Sequence, residues 1–354
     1  MQKDFHFTPK KKLDGFKRLQ GDSARQERDI NIMKPYETQE IGDLNVKSAP
    51  VDHSLPGATG YIIESDDETI VYTGDLRFHG RNPELTNKFV KECKKANPDI
   101  MISEGTRISE SSTITEEEVE NNIVNHIGDY KGFVAVNYPI RDLDRLQTFY
   151  NVAKDLDRTL VVNLKQAYIL MLFKGKGYPE IDDVCVYIPK KGWGLIDNDS
   201  YACFGDEWNC SSEIEDHHIN TDYDKWERNI LNLSNTINYN DIQNSPGDYI
   251  FRCDFFELKE LIDIKPKEGL YIRSVTEPFD DETAMDYKKA INWLDHFNLE
   301  MFQMHASGHA SGPEILEMIE EIGPKKVYPV HTNQKEKFLE LKKSNIDVVY
   351  PKLS

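Results

Sequence analysis

Between residues 133 and 162 the chain reads as strand, helix, strand: an apolar run at 133–137, a helical pattern over 142–156, and a second apolar run at 159–162. Two short strands joined by one crossover helix pair in parallel, because the helix returns the chain to the same end of the sheet. That unit excludes an all-helical or purely antiparallel chain and places helices on the faces of a sheet. The flanking sequence keeps the same pattern. Apolar runs at 61–64 and 69–73 flank Ser65-Asp66-Asp67-Glu68 and read as a hairpin. Asn82-Pro83 opens a helix with Leu85, Phe89, Val90 and Cys93 on one side, and residues 100–103 form a short strand. Thr115 and Glu118 make a capping box, with Ile114 and Val119 as a hydrophobic staple. Runs at 249–253 and 269–274 read as further strands, while 1–40 is polar and 175–245 irregular.

Composition narrows the function classes. A chain of 354 residues holds two domains, or one domain with a large insertion. A net charge of −19 argues against coating nucleic acid through a broad basic surface. It leaves room for a nuclease, whose metal ions and local basic groove offset the field. Lys10, Lys11 and Lys12 with Lys17 and Arg18, and Lys190-Lys191 beside Trp193, read either as solvated faces or as nucleic-acid contacts. No run approaches the roughly 20 apolar residues of a membrane span, and no apolar core follows the N-terminal charges. Five scattered cysteines without Cys-x-x-Cys read as reduced thiols of a cytoplasmic protein.

Histidines concentrate near the C-terminus. His305 and His309 lie within 304–313, and His331 ends the apolar strand 327–330. After His309, Ser311 or Gly312 caps a helix, Pro313 suits its first turn, and Gly323-Pro324 stops it. His309 is thereby expected beside a helix N-terminus, where free amides favour an anion such as phosphate. Asp75, Glu104 and His331 each follow an apolar strand, and His53 stands in Val51-Asp52-His53-Ser54. Ligands gather at the carboxyl ends of strands in α/β sheets, so these four residues are expected to share one rim. Two histidines and two carboxylates suit zinc or manganese. Other candidates read more plainly: His79 as a surface loop, His217 and His218 as exposed, His126 and His296 as structural. Trp193, Trp208 and Trp226 either stack on bases or pack a small core.

With these residues in place, the chain over roughly 38–354 resembles the metallo-β-lactamase superfamily, in its β-CASP nuclease branch that includes ribonuclease J and the cleavage-factor nucleases. Val51–Ala58 is similar to the third metal motif of that family, with His53 as ligand, and Tyr72-Thr73-Gly74-Asp75 to the fourth, with Asp75 as metal bridge. Ser103-Glu104-Gly105-Thr106, Ser307-Gly308-His309 and Pro329-Val330-His331 are similar to the three β-CASP motifs, and Arg145 to the opening helix of the inserted domain. The resemblance implies an α/β chain: a partial αββα sandwich in two parts, 38–114 and 298–354, around an inserted α/β domain at 115–297, with a polar arm at 1–37.

The resemblance also implies a site. His53, Asp75 and His331 hold two zinc ions, while Glu104 orients a ligand histidine. His309 contacts the scissile phosphate or protonates the leaving oxygen, so that Asp75, Glu104 and His309 are its catalytic residues. Ser307, Gly308 and Thr106 contact phosphate or cap turns, and His305 is either another orienting residue or a packed histidine. One departure is large: the family's His-x-His-x-Asp-His occurs nowhere in the sequence. The expectation is therefore a zinc-dependent RNA-processing hydrolase, with single-stranded DNA as a second substrate, that binds metal weakly and cleaves little alone. A fragment, a half of a split protein or a chain with a shifted start all predict an exposed sheet face and a complementing N-terminal segment or a homo-oligomer. The alternative is a non-catalytic module that binds RNA or a partner.

Overall fold

The computed structural model describes residues 31–192, 210–278 and 280–350. The chain opens with β1 (Thr38–Ile41), β2 (Leu44–Pro50), β3 (Thr59–Glu64) and β4 (Thr69–Tyr72), then helix α1 (Pro83–Ala96), β5 (Ile100–Glu104) and α2 (Glu116–Ile127). It continues through β6 (Phe133–Asn137), α3 (Leu143–Asp155), β7 (Thr159–Asn163), α4 (Leu164–Leu172) and β8 (Cys185–Tyr187). Helices α5 (Cys210–Asp222) and α6 (Lys225–Leu231), β9 (Thr236–Ile237), α7 (Tyr239–Asn244) and β10 (Tyr249–Arg252) follow. The last part holds α8 (Leu261–Ile264), β11 (Gly269–Arg273), α9 (Asp281–His296), β12 (Leu299–Gln303), α10 (Gly312–Ile322), β13 (Lys326–Val330) and β14 (Asp347–Val348).

Among the described residues two seven-stranded sheets form, ordered β1-β2-β3-β4-β5-β13-β14 and β12-β11-β6-β10-β7-β8-β9. The second is parallel throughout, as the 133–162 unit requires. It reaches Gln303, past the 297/298 boundary read from the sequence. Its strands are buried on both faces: α3, α4 and α6 pack on one, and α7, α8 and α9 on the other. Local chemistry sets the helix ends. Thr115 and Glu118 close the expected capping box of α2, but Ile114 is 41% exposed, so the accompanying staple makes no buried contact. Gly323 takes a left-handed φ of 68° and ends α10.

The first sheet has two unlike faces. Ile62, Val71, Met101 and Val327 pair across β3, β4, β5 and β13 and are buried against Phe89 and Val90 of α1 and Ile315 and Ile319 of α10. Each such side chain contributes roughly 1.5–3 kcal/mol. The alternating residues point to the other face: Val46, Ile63, Ile70 and Ile100 in one cross-strand row, Tyr61, Tyr72, Ile102 and Tyr328 in the next. Among the described residues none of these belongs to a buried core, and Tyr72 is 40% exposed. The other seven side chains of these two rows are part-buried.

Candidate metal centre

Strands β2 and β4 both run antiparallel to β3, and β4, β5 and β13 are mutually parallel, so all four share a carboxyl-end rim. His53 follows β2, Asp75 follows β4, Glu104 ends β5, and His331 follows β13. His309 arrives from the loop between β12 and α10. Donor atoms of Asp75, Glu104, His309 and His331 all lie within 4.8 Å of one another. The rim read from the sequence therefore assembles around Asp75, Glu104 and His331, with His309 as its fourth member. His53 stands beside this group, its ring 5.2 Å from that of His309 and its Nδ1 donating to the Gly308 carbonyl at 2.5 Å.

Glu104 is the anchor. It is 1% exposed, accepts from the Leu76 amide at 2.8 Å through Oε1, and accepts from His309 Nδ1 at 3.0 Å through Oε2. Its own amide donates to Thr73 Oγ1 at 3.1 Å. A carboxylate held this way fixes the imidazole's tautomer and leaves Nε2 for a ligand. Burial works against a charged His309, but the Glu104 carboxylate and then Asp75 outweigh it and raise its pKa. Burial likewise depresses His53, against the pull of the Gly308 carbonyl. His331 Nδ1 lies 3.3 Å from Asp75 Oδ1 and 3.0 Å from Thr106 Oγ1. Its φ of 54° is left-handed, which costs an L-residue roughly 1–2 kcal/mol and so implies that the surroundings hold it there. Asp75 and His331 keep side-chain exposures of 43% and 60%, so the centre opens to solvent on their side.

The loop 305–311 corrects one reading. The helix N-terminus beside His309 offers no row of free amides: Ala310 N donates to the Leu76 carbonyl, Gly312 N to the Glu110 carbonyl, and Ser311 N to Glu314 Oε2. His309 N donates to Ser307 Oγ at 3.1 Å. A capping box and the carbonyls of neighbouring loops have taken the groups that a phosphate would use. His305 is settled as well. Its Nδ1 accepts from Arg145 Nη1 at 3.2 Å, and burial followed by that guanidinium pushes its pKa down to about 3. It is a packed, neutral histidine.

Two buried arginines, both fully covered, support this loop. Arg77 donates to the Ser307 carbonyl at 3.3 Å and to Asp144 Oδ2 at 2.6 Å, and Arg145 donates to the Ala306 carbonyl at 3.0 Å and to the Ser274 hydroxyl. Glu116, at the start of α2, bonds both, at 3.0 Å to Arg77 Nη1 and 3.0 Å to Arg145 Nη2. Burial alone would raise the Glu116 pKa; Arg145 and then Arg77 outweigh it and hold it at about 2. Sequence reading singled out Arg145 but missed Arg77, whose place between Leu76 and Phe78 carries no local sign of burial. It also missed Arg107, which donates to the His309 carbonyl at 3.3 Å.

The remaining candidates part company. His79 is 6% exposed and donates to the Ser307 carbonyl at 3.1 Å, so it braces the loop from below rather than lying on the surface. His218, read as exposed, is buried and bonds Asp222 at 2.8 Å, whereas His217 is exposed. His126 stacks on Phe302 at 3.7 Å and His296 ends α9. Trp226 packs edge-on against Tyr168 at the core. Trp193, Trp208 and the lysines near position 10 lie outside the described residues.

Two imidazoles and two carboxylates converging within 4.8 Å are a donor set that fits one divalent cation such as zinc. Comparison with known proteins agrees with that chemistry. Residues 295–351 match the family described as "Zn-dependent metallo-hydrolase RNA specificity domain". A stretch of 161 residues, 41% of this chain, is 24% identical to a ribonuclease J of Pyrococcus abyssi and spans 35% of that protein's length. A crystal structure of a protein of unknown function from Enterococcus faecalis V583 has the same fold, with a TM-score of 0.68 and 23% identity over 93% of this chain and 67% of that one. The matched C-terminal segment and the partial ribonuclease J similarity support a metallo-β-lactamase/β-CASP ribonuclease-like relationship, although the chain's match spans only about a third of that ribonuclease's length.

Proposed function

We propose that this chain carries one wall of the catalytic centre of a metal-dependent phosphodiester hydrolase acting on RNA, and that alone it is weak or inactive. The carrying observation is the convergence of Asp75, Glu104, His309 and His331 on one strand-end rim. His53, Asp75 and His331 would hold zinc, two ions in a completed site. Bound there, the metal supplies a water of lowered pKa and polarises the phosphodiester. His309, oriented by Glu104, presents Nε2 to the scissile phosphate or the leaving oxygen. Ser307, Gly308 and Thr106 line the approach to it. Their contribution is through side chains and the Gly308 backbone, since the neighbouring amides are engaged within the chain.

Weak activity follows from ligand count. The sequence has no His-x-His-x-Asp-His, and a catalytic zinc takes about three protein ligands for one ion. The complement would come from a separate N-terminal segment seated on the apolar face that includes Ile63, Ile70 and Tyr72; a second copy of the chain, lacking the same motif, would cover that face without supplying the ligands. No helix among the described residues is long and apolar enough to cross a membrane, and the reading places the protein in the cytoplasm. That same open face favours a second reading, a non-catalytic module binding RNA or a partner protein.

The test assays the chain on short single-stranded RNA and DNA with zinc or manganese, alone and with a second polypeptide carrying a His-x-His-x-Asp-His segment. Metal-dependent RNA cleavage in the mixture, abolished by Asp75→Asn or His309→Ala, supports the hydrolase. RNA binding without cleavage in the mixture supports the second reading.

A further inference from the structure

The inserted sheet holds a crevice remote from the histidine rim. From the carboxyl end of β7 the chain enters α4 on one face of the sheet. From the carboxyl end of the adjacent β10 it enters the 3-10 helix Phe255–Glu260 on the opposite face. Neighbouring parallel strands whose connections leave to opposite faces open a gap between their loops, and in open α/β sheets such gaps hold ligands. Here the gap is a cavity of about 240 Å³, with Asn163 and Lys165 on one wall and Arg252, Phe256, Glu257 and Glu260 on the other.

Its lining says what it would take. Phe256 is 79% exposed at the lip, an aromatic face with little intramolecular cover. Arg252 is 1% exposed; its Nη atoms donate to Glu257, Asp254 and the Tyr138 carbonyl, but its Nε is buried without a partner. A buried unpaired donor in a cavity wall calls for an acceptor from outside. Lys165 is exposed in the first turn of the nine-residue α4, whose first amides have no partner within the helix; Asn163 caps the Gln166 amide and its Nδ2 donates to Glu257 across the gap. Glu260 receives the Tyr187 hydroxyl on Oε2 at 3.0 Å, and its Oε1 lies 3.9 Å from Lys259 Nζ, beyond hydrogen-bond distance and so able to accept from a ligand hydroxyl.

We propose that this crevice binds a nucleotide. The base lies against Phe256, the phosphate meets Lys165 and the α4 N-terminus, and a sugar hydroxyl donates to Glu260. The cavity is slightly smaller than the ~300 Å³ lower bound of common small-molecule sites, which suits one nucleotide with its phosphate at the mouth. A free mononucleotide and one unit of a single-stranded RNA share this chemistry. The second source rests on the RNA reading above; the first does not.

Binding of adenosine 5′-monophosphate and of a short polyadenylate RNA is measured calorimetrically on the full chain in EDTA, so that no metal-dependent event contributes. Phe256→Ala and Lys165→Glu are compared with the parent chain after far-UV spectra verify folding; both side chains are exposed. Monophosphate binding weakened about tenfold or more by each variant assigns a free nucleotide, in line with the usual size of base–aromatic stacking. RNA binding alone, with the same losses, assigns a strand subsite. No saturable binding of either probe, or binding that either variant leaves unchanged, overturns the proposal. Nuclease failure in the mixed assay leaves this result intact, so the two readings fail separately.

Discussion

Glu104 Oε2 receives the His309 Nδ1 proton at 3.0 Å, joining the end of β5 to a loop 205 positions later in the chain. The bond orients His309 from a carboxylate that is itself buried and tied to the Leu76 amide. Replacing Glu104 with Ala releases the ring proposed to meet the scissile phosphate, and RNA cleavage by the mixture of this chain with a His-x-His-x-Asp-His polypeptide is expected to fall about 10–100-fold. Cleavage rates of the variant and parent mixtures measure it; an unchanged rate would remove Glu104 from the site.

Metal content is a second expectation. The purified chain should retain less than about one zinc ion after dialysis, because only His53, Asp75 and His331 are proposed to hold the two ions and His331 is exposed. Elemental analysis decides. Two tightly retained ions per chain would contradict the weak-binding reading.

The buried pair of arginines predicts a stability effect. Arg145→Met leaves Glu116 in a covered site with only Arg77 as cationic partner, and removing one member of a buried ion pair costs roughly 3–5 kcal/mol. Urea unfolding should show this loss. Arg145→Lys should restore only part of it, since an ammonium cannot reach Glu116, Ser274 and Ala306 in the same fork. A loss below about 1 kcal/mol for Arg145→Met would mean that the lattice is dispensable.

Glu116 also carries a pH dependence. Its pKa of about 2 in the folded chain lies below the ordinary value of 4.5. The native state therefore binds this proton less readily than the unfolded chain, and the contribution is fully present above the unfolded value. It is lost as pH falls from 4.5 towards 2, and amounts to something on the order of 3 kcal/mol. Stability of the parent and Glu116→Gln proteins should converge on acidification across that window. Parallel curves would show that Glu116 is not the titrating group.

The two faces of the first sheet give a paired test. Met101→Ala, at a site of 0% exposure against α1 and α10, should cost about 2–5 kcal/mol. Tyr72→Ser on the opposite face should change the stability of the chain alone by roughly 0.5 kcal/mol or less. Equal losses would show that something already covers the Tyr72 face.

Much of this architecture was legible before any coordinates. Period-two and period-3.6 runs placed the hairpin, the parallel unit around residue 133 and the α10 helix with its Gly323 stop, and left Ser311 or Gly312 as its cap, of which the structure uses Ser311. Those features depend on neighbours within a few positions, which sequence displays directly. The strand-end positions of Asp75, Glu104 and His331 were legible for the same reason. Local reading failed for His79 and His218, both polar in context yet buried, because burial depends on which distant element packs above.

The sequence by itself determined an α/β chain with chemistry at strand ends and no His-x-His-x-Asp-His. Tertiary structure alone decided that His309 stands with Asp75, Glu104 and His331 while His53 lies beside them, that the α10 amides are spent inside the fold, and that Arg77 is fully buried. The reason is physical. Strand and helix periodicity are set by backbone geometry over a few residues, whereas ligand convergence and buried charge depend on contacts between segments more than two hundred positions apart, such as Arg77 with Ser307.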